Sequence, residues 1–143
     1  MPARWRSPAT DATGKTIDPR HVRNPRQKHS QIYGVEAEWL AAVFLRLKGY
    51  RILARRFAAA GGEIDLVAER FGTLIFVEVK ARNRIETARI AISADKLRRI
   101  ERAARVFLAR RQVAPRTIRL DAIFLSPNAL PRHETAIAEL RLD

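Results

Sequence analysis

The sequence predicts an α/β fold, a mixed sheet of about five strands flanked by helices. Apolar residues recur at helical spacing over residues 30–48 and 93–111, and strand-length segments rich in β-branched and aromatic residues lie between and after them. The second helix falls between the third and fourth strands, the kind of link that joins parallel neighbours by a right-handed crossover.

Residues 1–29 carry four of the seven prolines, seven Lys/Arg and two Asp, without sustained apolar periodicity. They read as a disordered basic arm, leaving residues 30–143 as one domain. Ser30 is the expected N-cap of the first helix and Gly49 stands where helices commonly stop. In that helix Trp39, Leu40, Val43 and Leu47 make one stripe, while Glu38, Ala41, Ala42 and Leu45 make another. A helix apolar almost all round is expected to be substantially buried.

Strands follow at 50–57, 63–69 and 73–81, with Arg70-Phe71-Gly72 as the link of a hairpin between the last two. Residues 82–92 form an irregular charged connection. The second helix places Leu97, Ile100, Ala104, Phe107 and Leu108 on its core face. Pro115 then breaks the chain before a strand at 118–125, and Pro127-Asn128 and Pro131 turn it into a short last strand at 136–142. No internal repeat is present.

A chain of 143 residues with 47% apolar content can bury one ordinary core. Its 28 Lys+Arg against 15 Asp+Glu leave a formal charge of +13, mostly carried by arginine, which favours a polyanionic partner such as nucleic acid. The absence of cysteine excludes disulfides, thiolate zinc sites and thiol catalysis, and suits a cytoplasmic location. No apolar run reaches membrane-spanning length, and the N-terminus lacks the apolar core of a secretory signal, so no membrane partner is expected. The oligomeric state is left open, a dimer included.

The chemistry is concentrated in Gly61-Gly62-Glu63-Ile64-Asp65-Leu66-Val67 and Phe76-Val77-Glu78-Val79-Lys80, which set two carboxylates and an ammonium into otherwise apolar strands. Charges seldom enter such strands without partners or a metal. Alternation puts Glu78 and Lys80 on one face with Leu74 and Phe76. Whether Asp65 joins them depends on the hairpin. The expectation is that a two-residue loop sets Asp65 diagonal to Glu78, a four-residue loop sets it directly opposite, and a three-residue loop sends the two to opposite faces. Converging carboxylates can hold Mg²⁺ or Mn²⁺ against a scissile phosphate, with Lys80 stabilising the charge that grows in the transition state. The bland reading of the same residues is an ion pair at a strand end.

Asp65 followed by Glu78-x-Lys80 on consecutive strands, after a helix bearing a Glu, resembles the PD-(D/E)XK nuclease superfamily, which includes restriction endonucleases and Holliday-junction resolvases. More closely, the chain resembles the bacterial YraN family. The matching segments are Gly34-x-x-x-Glu38-x-x-Ala41, Leu45-x-x-x-Gly49-Tyr50, Gly62-Glu63-Ile64-Asp65-Leu66, Phe76-Val77-Glu78-Val79-Lys80-x-Arg82, Lys96 and Arg119-Leu120-Asp121.

The resemblance implies a restriction-endonuclease-like sheet, with Asp65 and Glu78 as metal ligands, Lys80 as the catalytic lysine and Glu38 as the carboxylate that the first helix aims at the site. The helical wheel offers Glu36 instead if the Trp39 stripe faces the sheet, and the family register favours Glu38. Glu63 ranks below Asp65 as a ligand, and Asp121 reads as structural. Lys96, Arg82, Arg98 and Arg102 make up the expected nucleic-acid-binding set, with Arg105 continuing the arginine stripe. Arg56 stands where the family leads one to expect Asn, and residues 83–89 lack the glycine usual there. His21, His29 and His133 read as isolated loop residues.

These expectations combine into a metal-dependent endonuclease acting on DNA, branched or damaged forms among its substrates. The alternative is a non-catalytic nucleic-acid-binding protein that retains the nuclease fold; a protein-binding adaptor is a third class.

Overall fold

The computed structural model describes residues 25–82, 92–127 and 129–143, with the side chains of the first helix described from Glu36 onward. Most of the expected basic arm and of the connection at 82–92 lies outside the described residues, as does His21. The elements run α1 (Pro25–Leu47), β1 (Arg51–Ala59), β2 (Gly62–Arg70), β3 (Thr73–Ala81), α2 (Ala94–Ala109), β4 (Thr117–Leu125) and β5 (Arg132–Ala138). The chain divides between Ile32 and Tyr33, and the sheet belongs to the unit Tyr33–Asp143.

The five strands form one sheet in the order β1-β2-β3-β4-β5. All neighbours are antiparallel except β3 and β4, which run parallel in register from Thr73↔Thr117 to Ala81↔Leu125. The expected mixed α/β sheet is therefore present, with α2 connecting its parallel pair.

Helix α1 begins at Pro25, so Ser30 lies within it and is not its cap. Proline suits a first helical turn, because its fixed φ is helical and its missing N–H would have had no intrahelical acceptor. The other end closes as expected. Gly49 takes φ 87°, Tyr50 N–H reaches back to Leu45 C=O and Gly49 N–H to Arg46 C=O, both at 3.0 Å. Strand β5 starts four residues before the expected 136, at Arg132, on polar residues that the sequence disguises as a turn.

Each face of the sheet carries its own core. Ala37, Ala41, Ala42 and Leu45 of α1 pack with Leu66, Ala68, Ile75, Val77 and Ile123. On the other face Ile100, Ala103 and Ala104 of α2 pack with Val67, Leu74, Phe76 and Leu120. The expectation that α1 is buried almost all round is thus corrected: the small-residue stripe faces the sheet, while Trp39, Leu40 and Leu47 are exposed. Alanines at the contact let helix and sheet approach closely. Gly62 does the same for α2, since a Cβ there would sit 1.9 Å from the Arg99 carbonyl oxygen. That close approach seats the middle of α2 against the start of β2, beside the β1–β2 turn.

Asp121, fully buried on β4, ties the edge strand to the sheet. It accepts from both Nε and Nη2 of Arg119, from His133 Nε2 at 2.8 Å and from the Ala136 N–H at 3.0 Å. His133 is therefore a buried member of β5 and not a loop residue. Its Nδ1 accepts from Lys48 Nζ at 2.6 Å, just past the end of α1. The structural reading of Asp121 agrees with this arrangement.

Candidate active site

The register of the β2–β3 hairpin decides whether the two carboxylates meet. Phe71 and Gly72 form a two-residue turn with φ 51° and 79°, the paired positive values of a type I′ reversal. Arg70 pairs with Thr73, and the ladder runs on to Leu66↔Val77. Continued by one step, it places Asp65 directly opposite Glu78. The expected diagonal relation is corrected, because β2 continues through Arg70 and the turn is centred one residue later than the two-residue case assumed.

Beyond Leu66↔Val77 the backbone ladder stops, and the Asp65 side chain takes its place: Oδ2 accepts the Val79 N–H at 2.7 Å. This bond holds Asp65 against β3. Glu78, only 4% exposed, has two lysines on one oxygen: Oε1 lies 3.2 Å from Lys80 Nζ and 3.5 Å from Lys96 Nζ. Lys80 comes from the same strand face. Lys96 comes from the first turn of α2, where Ser93 Oγ accepts the Lys96 N–H at 3.1 Å and caps the helix.

Glu38 of α1 reaches the same region. Its Oε2 accepts from Arg56 Nε at 2.6 Å, while Glu36 is exposed. Because the small-residue stripe faces the sheet, Glu38 and not Glu36 is carried toward the carboxylates. Burial, and then the charge of Glu78, push the Asp65 carboxyl up to about 6; Glu38 adds to the rise, and the Val79 N–H and Lys96 oppose it.

The structure thus brings Asp65, Glu78, Lys80, Lys96 and Glu38 together. Arg82 does not join them; it is exposed and donates to the Ala81 carbonyl at 2.9 Å. Arg98 pairs with Asp95, and Arg102 and Arg105 donate to the carbonyls of Ala60 and Arg141 at 3.0 and 2.6 Å. These arginines remain exposed on α2 while buttressing neighbouring backbone. Glu63 is exposed, and its charge acts on Arg56. Arg56 is the participant that pattern reading underrated, since its conformation leaves no trace in strand alternation.

Among the described residues no group of three or more His, Cys, Asp or Glu side chains gathers to hold a metal ion. Asp65 and Glu78 form a pair and not a cage. Mg²⁺ keeps several waters and is commonly held by one or two carboxylates, so such a pair fits it. No described residue engages Asp65 Oδ1 or Glu78 Oε2. A cation between them would relieve the Glu78 repulsion that, after burial, raises Asp65.

The raised Asp65 pKa, from burial first and the Glu78 charge second, has a measurable consequence. A carboxyl whose folded pKa lies above its unfolded value favours the fold fully below about pH 4 and loses that contribution as pH rises through about 6. At pH 7 ionised Asp65 therefore costs stability. Asp65→Asn keeps an acceptor for the Val79 N–H and removes the charge, so it is expected to stabilise the protein by about 2 kcal/mol at pH 7. The gain should vanish at pH 3.5. Denaturant midpoints at the two pH values measure it, and a loss of stability at pH 7 would mean that the lysines already neutralise the pair.

A model of the uncharacterised protein family UPF0102 matches residues 37–125. The chain belongs to the UPF0102 family. It is 53% identical over 109 residues to a UPF0102 protein of Methylorubrum extorquens, covering 76% of this chain and 85% of the relative. A relative from Methylobacterium nodulans is 50% identical over 116 residues, 80% of this chain and 90% of its own length. One from Rhodopseudomonas palustris is 44% identical over 114 residues, 79% and 84% of the two chains. The UPF0102 span contains Glu38, Arg56, Asp65, Glu78, Lys80 and Lys96, and it ends with β4, so His133 and the edge strand lie outside it.

Proposed function

We propose that this UPF0102 protein is a metal-dependent endonuclease that hydrolyses phosphodiester bonds in nucleic acid, DNA foremost, with branched or damaged forms among its substrates. One observation carries the reading: Asp65 and Glu78 lie opposite one another on adjacent strands, with Lys80 and Lys96 both on Glu78 Oε1. This supports assignment to the PD-(D/E)XK superfamily.

Asp65 and Glu78 would hold Mg²⁺ or Mn²⁺, which supplies charge neutralisation at the phosphate and a water of lowered pKa. Lys80, tethered to Glu78 and about one-third exposed, is placed to stabilise charge growing on the phosphate or on the attacking oxygen. Lys96 holds the same Glu78 oxygen from α2 and adds positive potential where a phosphate would lie. Arg82, Arg98 and Arg102 stay at the exposed margin, where they would meet flanking phosphates.

The second reading, a binder without catalysis, is favoured by one observation: both lysines already neutralise Glu78 without any added cation. Incubating purified protein with labelled linear, flapped and four-way DNA, with and without Mn²⁺, separates the two. Cleavage that needs Mn²⁺ supports the endonuclease; binding without cleavage of any of them supports the binder. No helix among the described residues is long and apolar enough to cross a membrane, and a cytoplasmic location remains part of the proposal.

Binding itself should weaken steeply with salt, because a chain of +13 contacts several phosphates and releases their counterions. Removing residues 1–24 is expected to lower the slope of log affinity against log salt without abolishing binding. Fluorescence anisotropy across about 50–300 mM salt, a roughly sixfold range, checks it. Complete loss would make the arm the binding element.

A further inference from the structure

Arg56 lies in the middle of β1 with φ 48°, a left-handed conformation that a long side chain rarely adopts. Ala60 and Phe71 share positive φ, but each opens a two-residue hairpin turn that requires it. Arg56 makes no turn. The β1–β2 register continues unshifted on both sides of it, from Arg55↔Leu66 to Phe57↔Ile64, which sets Arg56 level with Asp65. The strained backbone is thus not a means of reversing the chain. What accompanies it is the placement of a guanidinium among carboxylates: Nε donates to Glu38 Oε2 at 2.6 Å, and the charges of Glu63 and Asp65 also act on it.

The choice of donor matters. With Nε committed to Glu38, no described residue engages Nη1 or Nη2, and the side chain is half exposed. The Nη1/Nη2 edge is a planar fork suited to phosphate oxygens. We propose that Arg56 binds a phosphate of the nucleic-acid backbone beside the Asp65–Glu78 pair, and that Glu38 is the positioning carboxylate that aims it. Glu38 therefore acts through Arg56, and the site reads the backbone with a rigid fork as well as with the ammonium of Lys80. The proposal rests on the phosphodiester reading of the same site and adds a substrate-binding residue to it.

The test uses the full chain and measures affinity for labelled four-way DNA without metal, then cleavage with Mn²⁺. Arg56→Asn is the informative variant, because Asn tolerates left-handed backbone and should keep or raise thermal stability. Its affinity is expected to fall about 10-fold or more, and its salt slope by about one phosphate. Arg56→Lys, lacking the fork, should not recover wild-type affinity, and Glu38→Gln should weaken binding less than Arg56→Asn. In cleavage the change should appear in KM with kcat within about threefold. An Arg56→Asn protein with wild-type affinity and salt slope overturns the proposal while leaving cleavage by the wild type, and hence the endonuclease reading, intact. A wild type that binds through Arg56 but cuts nothing sinks the endonuclease reading alone, and a wild type that does not bind overturns the Arg56 assignment.

Discussion

Asp121→Ala is expected to cost the fold about 3–5 kcal/mol, a large part of the stability of an ordinary domain. The carboxylate is fully buried, yet burial, which opposes its charge, is outweighed by the hydrogen bonds from His133, Arg119 and the Ala136 N–H, which hold its pKa below the usual range. Alanine would leave a guanidinium, a buried imidazole and a strand N–H without their acceptor at once. The damage should begin at the edge. Pairing of β5 with β4 is irregular between Leu120 and Ala122, where Asp121 bonds the Ala136 N–H, and Ala136 itself has φ 52°. Amide exchange in β5 should therefore accelerate before exchange in β3. Denaturant titration with an unchanged m-value measures the loss. Because the folded pKa is depressed, the contribution is present above about pH 4 and disappears as pH falls through the lower folded value. A change below about 1 kcal/mol at pH 7 would show that water replaces the carboxylate.

Elements whose side chains alternate or repeat without interruption were legible in the sequence. Strand β3 runs over the expected 73–81, β2 exceeds its expected range by one residue at each end, and β4 by one residue at its start. Asp65, Glu78 and Lys80 stood out because a charge inside an apolar strand needs a partner, and here the partners are present. Elsewhere tertiary contacts supplied what local pattern withheld. Arg132-His133-Glu134 looks like loop until Asp121 and Lys48 are set beside His133 and the Phe124 ring lies 5.0 Å from the Arg132 guanidinium. The helical wheel alone leaves Glu36 and Glu38 open and the family register favours Glu38; the physical reason is that alanines, and not Trp39 and Leu40, face the sheet. The hairpin register depended on a single residue of turn position. Arg56 could be noticed as a departure from a pattern, but its left-handed backbone is a property of the folded strand.

Lys80→Ala separates enzyme from binder most sharply. The substitution removes the ammonium 3.2 Å from Glu78 Oε1 but leaves Asp65, Glu78 and Lys96 in place. Binding loses one charge that is partly solvated, so affinity should fall by about 1 kcal/mol or less. Cleavage with Mn²⁺ should fall about 10²–10³-fold, the usual cost of deleting a group that stabilises developing charge. The loss should lie in kcat, because such a group acts more strongly on the transition state than on bound substrate. Asp65→Ala and Glu78→Ala should also abolish cleavage while preserving or tightening binding, since each removes a negative charge facing phosphate. The variants then differ in a further respect: Lys80→Ala should still bind Mn²⁺ weakly in calorimetry, whereas Asp65→Ala should not. Equal losses of affinity and rate in Lys80→Ala would make the lysine a phosphate contact and no more. If the wild type cuts no DNA or RNA structure with Mg²⁺ or Mn²⁺ and binds them as well as all three variants do, the site serves binding alone.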